Sequence, residues 1–212
     1  MKAFSLVLQF FLSALLLTCS KSQENKKSGD YFPNTAGSYW EYDVYDSSLV
    51  REHSTYPRNY IVKVNIIGNT TLVDGKNATV WRYEYPWGTE LNYIRMVNDT
   101  VKVFDEVYST TVADLDYPRL LFLQPFSLNE NWDGKLSFSD TYAIIDQGDA
   151  ITTEQTFSNC FEIYRHYTGP NLEFNDHYWF EPNIGMVKIY YHERGYSATT
   201  VQAWQLRKFV LK

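Results

Sequence analysis

Only two cysteines, Cys19 and Cys160, occur in 212 residues, too few for a disulfide framework to hold a loop-rich fold together. Basic clusters are as scarce. Beyond Lys26-Lys27 and Arg207-Lys208 no Lys or Arg residues are grouped, and the net charge is −6. A nucleic-acid partner is excluded for want of groups to neutralise phosphates. The chain has no Gly-x-Ser-x-Gly elbow, no His-Glu-x-x-His, no paired cysteines and no glycine-rich phosphate loop. The hydrolase, zinc and nucleotide chemistries that depend on those motifs therefore have no support, and neither a cofactor nor a metal is implied. Long amphipathic helices are missing as well. The one helical candidate, Thr111 to Leu123, is interrupted by Pro118.

Aromatic residues are what the chain has in quantity: 18 Tyr, 13 Phe and 6 Trp, 17% together. Such side chains fit pleated sheets, and the alternation of the sequence agrees. Ser38 to Tyr45 sets Trp40, Tyr42 and Val44 against Tyr39, Glu41 and Asp43. Tyr60 to Ile67 places Tyr60, Val62, Val64 and Ile66 on one face. Asp74-Gly75 is a hairpin signal, and Thr79 to Tyr85 puts Trp81, Tyr83 and Tyr85 inward against Arg82 and Glu84. Pro86-Trp87-Gly88 turns, Leu91 to Val97 and Thr100 to Glu106 are strands, and Asn98-Asp99 joins them. Lys135 to Asp146, Ala150 to Phe157, Asn159 to Tyr167 and Asn175 to Glu181 continue the series. At Pro182-Asn-Ile-Gly185 the chain reverses, because proline cannot extend a ladder and glycine tolerates positive φ. From Gly185 onward Val187, Ile189 and Tyr191 share a face. The last strand, from about Ala198 to Leu211, is apolar on both faces, as a central or covered strand would be.

Ten to twelve short strands predict an all-β domain over residues 31–212. Its form is a strongly curved antiparallel sheet, a half-barrel or barrel, with a β-sandwich as the alternative. One spacing occurs twice: Pro33-x3-Gly37-x2-Trp40 and Pro125-x3-Asn129-x2-Trp132. Gly and Asn are the residues most at ease in the left-handed region. The echo is either two similar turns or the trace of two similar half-sheets.

Before the domain lie a short positive start, Met1-Lys2, and an apolar run, Ala3 to Leu17, of signal-peptide length. The run ends in Leu16-Leu17-Thr18-Cys19, which resembles the lipobox of bacterial lipoproteins. That resemblance implies a signal peptide over residues 1–18, cleavage before Cys19, and acyl chains on its thiol that anchor the protein in a membrane. Residues 19–30 are polar and aperiodic, a tether spanning about 16–19 Å. No aspartate follows Cys19 and no acidic run follows it. In family terms this favours the periplasmic face of an outer membrane, with surface display as the rival.

Tyr31-Phe-Pro-x3-Gly37-x2-Trp40-x-Tyr42, with Asn159-Cys-Phe-Glu-Ile163 and Trp179-Phe-x-Pro-x2-Gly-x-Val-Lys188, resembles uncharacterised secreted lipoproteins of Bacteroidetes. The resemblance implies an outline like the lipoprotein carriers, an open half-barrel around a hydrophobic cavity. No catalytic residue is implied by it.

Candidate chemistry is sparse. Cys160 with His166 or His177 forms a conceivable thiol–imidazole pair, set against a small buried hydrophobe in mid-strand. His53 stands alone. His166, His177 and His192, with Glu181 or Glu193, are the residues a metal would need, set against hydrogen-bonded surface histidines. Asp99-Thr100-Val101 resembles the O-glycan acceptor of Bacteroidetes. Trp40, Trp81, Trp87, Trp132, Trp179 and Trp204 are the candidate ligand-facing aromatics, set against plain core filling. The expectation is a non-catalytic, membrane-tethered domain that binds or carries an apolar or lipid-like ligand. The alternatives are a subunit of an envelope protein assembly and, behind both, a hydrolase. A helical bundle after residue 30, or a cluster of ionisable groups converging in a deep hole, would end the reading of a body that grips rather than reacts.

Overall fold

A computed structural model describes residues 30–47, 58–107, 109–135, 139–195 and 199–212. Cys19, the tether up to residue 29 and His53 lie outside the described residues. Twelve strands follow in order: β1 Tyr39–Asp46, β2 Asn59–Thr71, β3 Asn77–Tyr85, β4 Gly88–Val97, β5 Thr100–Asp105 and β6 Leu120–Leu123. Then come β7 Asn131–Asp133, β8 Ser139–Ile151, β9 Thr156–Thr168, β10 Leu172–Glu181, β11 Gly185–Gly195 and β12 Thr199–Val210. All pair antiparallel in one sheet, ordered β6-β5-β4-β3-β2-β1-β12-β11-β10-β9-β8-β7, which curls into a nearly closed barrel. Alternation builds it. Trp40, Tyr42 and Val44 of β1 and Val62, Val64 and Ile66 of β2 are buried, while Glu41, Asp43, Lys63 and Asn65 point outward. Charges at mid-strand on the outer wall mark a surface that faces water rather than lipid tails. β12 lies at the centre of the strand order, between β11 and β1.

The barrel consists of two six-strand meanders, β1–β6 and β7–β12. In the first, Ser38 N donates to Thr35 O, Gly37 N to Ile66 O, and Ile66 N to Ser38 O, at 3.1, 2.9 and 3.0 Å. In the second, Glu130 N donates to Ser127 O, Asn129 N to Ile144 O, and Ile144 N to Glu130 O, at 3.1, 3.0 and 2.8 Å. Gly37 and Asn129 both take positive φ, 89° and 67°, and a register shift follows Ile66 and Ile144 alike. The repeated sequence spacing is therefore a repeated structure, each copy opening one half of the barrel.

At the end marked by the β10–β11 turn the barrel is plugged. Tyr31 packs on Phe126, with ring centroids 4.3 Å apart, and Phe32 packs on Phe122 and Phe180 at 5.3 and 5.0 Å. Asn183 N donates to Asp30 O at 2.9 Å, so the N-terminal segment enters at this end. Gly185, φ 97°, lies so close that a Cβ would sit 3.4 Å from Tyr31 O and Pro33 Cδ. Each buried phenylalanine contributes roughly 1.5–3 kcal/mol of hydrophobic stabilisation.

Three local expectations are corrected. Ala150 to Phe157 is a hairpin rather than a strand, turned by Thr152, whose Oγ1 donates to Gln155 O at 2.9 Å and accepts from Gln155 N at 3.3 Å. Lys135 to Asp146 starts too early, since β8 begins at Ser139. The helical candidate Thr111 to Leu123 splits into a 3-10 turn, Ala113–Asp116, and β6. Pro118 holds the preceding Tyr117 off the helical region, at φ −119° and ψ 71°.

Candidate functional site

Inside the barrel the inward side chains leave two adjoining chambers of about 340 and 330 Å³, one of them bounded by the plug. Arg119, Leu120, Tyr191 and Gln202 line both and form the wall they share. Each volume lies at the lower limit of small-molecule pockets, roughly 300 Å³ upward.

One chamber is aromatic. Trp81 of β3 stacks on Trp40 at 5.2 Å and 23°, and Trp204 of β12 meets Tyr85 edge-on at 6.3 Å. Trp87, in the β3–β4 turn, stacks on Tyr85 at 5.4 Å and meets Tyr60 edge-on at 4.8 Å. Polar atoms are set among the rings. Asp46 Oδ2 accepts from Tyr60 Oη at 3.1 Å and from Gln202 Nε2 at 2.6 Å. Burial, first of all, raises the phenols of Tyr60, Tyr83, Tyr85 and Tyr191, so they stay protonated and able to donate. Phe32 of the plug is part of the lining.

The other chamber is ionic. Arg165 of β9 and Asp176 of β10 are direct cross-strand partners and both line it. Arg165 Nε donates to Asp140 Oδ1 at 2.8 Å, and its Nη1 lies 3.6 Å from Asp176 Oδ2. Tyr178 Oη donates to that same oxygen at 3.3 Å, and the guanidinium lies over Phe174 at 5.6 Å. Three buried atoms of this network, Arg165 Nη2, Asp176 Oδ1 and Asp140 Oδ2, lack a close side-chain partner, and the Asp176 carboxylate draws also on the His192 backbone N–H. Burial raises the Asp176 carboxyl to about 6, although Arg165 pulls the other way. Arg119, ion-paired with Asp105 at 3.0 Å, keeps 48% of its side chain accessible.

The six tryptophans do not converge. Trp81, Trp87 and Trp204 line the aromatic chamber. Trp40 is core beneath it, its Nε1 donating to Ile184 O at 2.8 Å. Trp132 stacks on Tyr142 at 5.4 Å, and its Nε1 donates to Leu121 O at 2.9 Å, across the gap between the two edge strands. Trp179 is on the outer wall between His177 and Lys188. His166 and His177 are outside too. His177 Nδ1 is 2.7 Å from Glu162 Oε1, and His166 bonds Asn175 and Thr168 at 3.0 and 2.9 Å. Among the described residues no group of three or more His, Cys, Asp or Glu is arranged to hold a metal. Cys160 is 1% exposed, and burial pushes its thiol up to about 11, which makes it a core side chain rather than a nucleophile. Thr100 opens β5, opposite Val97 and Leu123.

The ionic chamber is what the sequence reading missed. Its signal was present in the register: Arg165 follows inward Ile163, and Asp176 precedes inward Tyr178, on consecutive strands. Opposite charges in the apolar register of paired strands mark a buried pair.

No family model and no curated protein matches the chain. A solved structure from Bacteroides fragilis, described as an exported protein with a YmcC-like fold, aligns over 86% of this chain and 99% of its own. Its TM-score is 0.50, with 12% sequence identity. A Parabacteroides distasonis structure, described as a lipoprotein, covers the same shares with TM-score 0.43 and 14% identity. The first likeness concerns the fold; neither extends to ligand or chemistry.

Proposed function

We propose that this protein is a non-catalytic binding protein of the cell envelope, tethered by acyl chains on Cys19, whose barrel interior holds a small amphipathic ligand. The observation that carries the reading is the pair of adjoining chambers, aromatic on one side and ionic on the other, with Arg119 and Tyr191 between them. A uniformly apolar guest, as the composition suggested, would leave the polar atoms of the second chamber without partners. The ionisable groups that converge there are engaged with one another, Arg165 with Asp140 and Asp176, and Arg119 with Asp105, an arrangement that supports recognition more than reaction. Asp30, from which a tether to Cys19 would run, lies at the plugged end beside Asn183.

Native mass spectrometry of protein taken from its own envelope tests the binding reading. A co-purifying small molecule is expected, lost when Trp204 and Tyr85 are replaced by Ala in protein that stays folded. An empty interior in material from every preparation overturns it. Cys19→Ala tests the anchor: the variant is expected in the soluble or unprocessed fraction. Protease accessibility in intact cells then separates the periplasmic face, which we favour, from the surface.

One observation favours a second reading, a subunit of an envelope assembly. Tyr164, His177, Trp179 and Tyr190 make a continuous run of rings on the outer wall, with His177 5.0 Å from Tyr164 and 5.8 Å from Trp179. Cross-linking from this face in whole cells would return a stable protein neighbour if that reading holds.

A further inference from the structure

We infer that the aromatic chamber is a site for a quaternary ammonium, an organic cation whose nitrogen carries alkyl groups and no proton; this rests on the reading of the barrel interior as a binding cavity. Two observations carry it, the charge of the lining and the way its rings meet. Five carboxylates line the two chambers, Asp46 and Glu90 in the aromatic one and Asp105, Asp176 and Glu193 in the other. Against them stand the guanidinium groups of Arg119 and Arg165. Even with Asp176 protonated the balance is negative. Arg119, in the wall between the chambers, is 3.0 Å from Asp105 Oδ1, so its charge is set against a carboxylate already there. Burial is the first cause of the raised phenols of Tyr60, Tyr83 and Tyr85, and the Glu90 carboxylate adds to each, so its field reaches the rings.

The rings form corners. Trp204 meets Tyr85, Tyr191 and Tyr83 at 88°, 86° and 70°, and Trp87 meets Tyr60 at 69°. Rings set at such angles turn faces as well as edges toward the space they bound, and the face of an indole or a phenol is its negative side. A cation held by ring faces and nearby carboxylates needs no hydrogen bond, and a quaternary nitrogen has none to offer. That separates it from its rivals. A primary ammonium asks for acceptors in place of its water, whereas Asp46 Oδ2 already accepts from Tyr60 and Gln202. An inorganic cation asks for several oxygens together, and among the described residues no group of three or more His, Cys, Asp or Glu is arranged to supply them. An anion meets the wrong sign. A neutral apolar guest takes water from Asp46 and Glu90 and sets nothing against their charge. At about 330 Å³ the chamber suits a compact head group better than a long acyl chain.

The experiment titrates the full chain, purified in a maltoside detergent, with choline and with dimethylbutanol, its neutral isostere with carbon in place of the charged nitrogen. Methylammonium, phosphocholine and palmitate complete the panel, and tryptophan fluorescence and calorimetry read the binding. Choline is expected to bind about tenfold more tightly than the neutral alcohol, and more tightly than methylammonium. A free cation and a lipid head group share this chemistry. Phosphocholine tighter than choline assigns the head group, weaker assigns the free cation, and either supports the class. Trp87 and Glu90 are both exposed, so Trp87→Leu and Glu90→Gln leave the core intact. Each should weaken choline by about three- to tenfold, whereas Trp87→Phe keeps most of the affinity. Equal binding of choline and the alcohol overturns the inference and leaves the cavity a binding site, as does palmitate binding alone. Methylammonium as tight as choline overturns the quaternary assignment. Choline affinity unmoved by either substitution places the cation elsewhere and overturns it too. Silence from every probe refutes the inference, and an empty native mass spectrum beside it refutes the binding reading as well.

Discussion

The indole N–H of Trp132 donates to the carbonyl oxygen of Leu121 at 2.9 Å, and this bond joins the two edges of a twelve-stranded sheet that no ladder closes. The equivalent junction on the far side, β12 with β1, is a full antiparallel ladder. Edge to edge the two meanders meet twice, along the β12–β1 ladder and at this side-chain bond. The second meeting is the weak line of the barrel.

Trp132→Phe keeps the ring and removes the donor. The expected loss is about 1 kcal/mol, the net worth of one such bond, somewhat more if Leu121 O is left buried and alone. Hydrogen exchange should show where the loss falls. Amides of Leu120–Leu123 and Asn131–Asp133 are expected to exchange faster while β1 and β12 keep their protection. Uniform acceleration through the barrel would mean that the seam is no weaker than the rest.

Asp176 sets a pH dependence of defined sign. Its carboxyl is raised from 3.8 to about 6 in the folded chain, because burial disfavours the charge. The folded state therefore binds the proton more tightly, and the stability this supplies is present below pH 4 and lost as pH rises to about 6. Asp176→Asn removes the titration. Relative to the parent chain, the variant should gain about 2–3 kcal/mol between pH 4 and pH 7, at roughly 1.4 kcal/mol per pKa unit. Urea unfolding of both proteins at the two pH values measures it. A parallel pH dependence in the two chains would place the raised proton elsewhere.

How far the sequence carried is plainest in particular residues. The alternation of Trp40, Tyr42 and Val44, and of Tyr60 to Ile66, was legible because those strands are buried on one face only. The turn at Thr152 was not, since a threonine hydroxyl bonding Gln155 does the work that glycine or proline advertises elsewhere. Half the tryptophans reached the chambers and half did not, because alternation assigns a face but not a height along the barrel. Arg165 and Asp176 drew no reading, although each stands two residues from an inward apolar side chain; a charge in that register shows as buried only once its partner on the paired strand is set beside it.

The repeated turn makes a prediction of its own. Asn129 holds φ 67° and Gly37 holds φ 89° at matching points in the two halves. Asn129→Gly should be neutral or slightly stabilising, whereas Asn129→Ala should cost about 1 kcal/mol, and a β-branched residue more, in thermal or urea unfolding. Equal effects of glycine and alanine would show that the left-handed conformation is not what selects asparagine there.

Gly134 offers the sharpest probe of the ionic network. Its N–H donates to Asp140 O at 2.6 Å, and a Cβ built on it would lie 2.0 Å from Asp140 Oδ2 and 2.4 Å from Cγ. Alanine cannot be accommodated unless the Asp140 carboxylate moves, and that movement gives up the 2.8 Å bond to Arg165 Nε. Breaking a buried pair from one side costs about 3–5 kcal/mol, so Gly134→Ala should destabilise on that scale despite adding one methyl group at a partly exposed position. The cost belongs to the network rather than to the backbone only if it depends on Asp140. In an Asp140→Ala background the clash with Oδ2 and Cγ is gone and the bond to Arg165 already lost. The second substitution should then add much less, the Asp140 Cβ at 3.0 Å being the one close contact left, and the double-mutant cycle should show strong coupling. Additive costs would mean that Gly134 is required by the β7–β8 backbone and not by the carboxylate beside it.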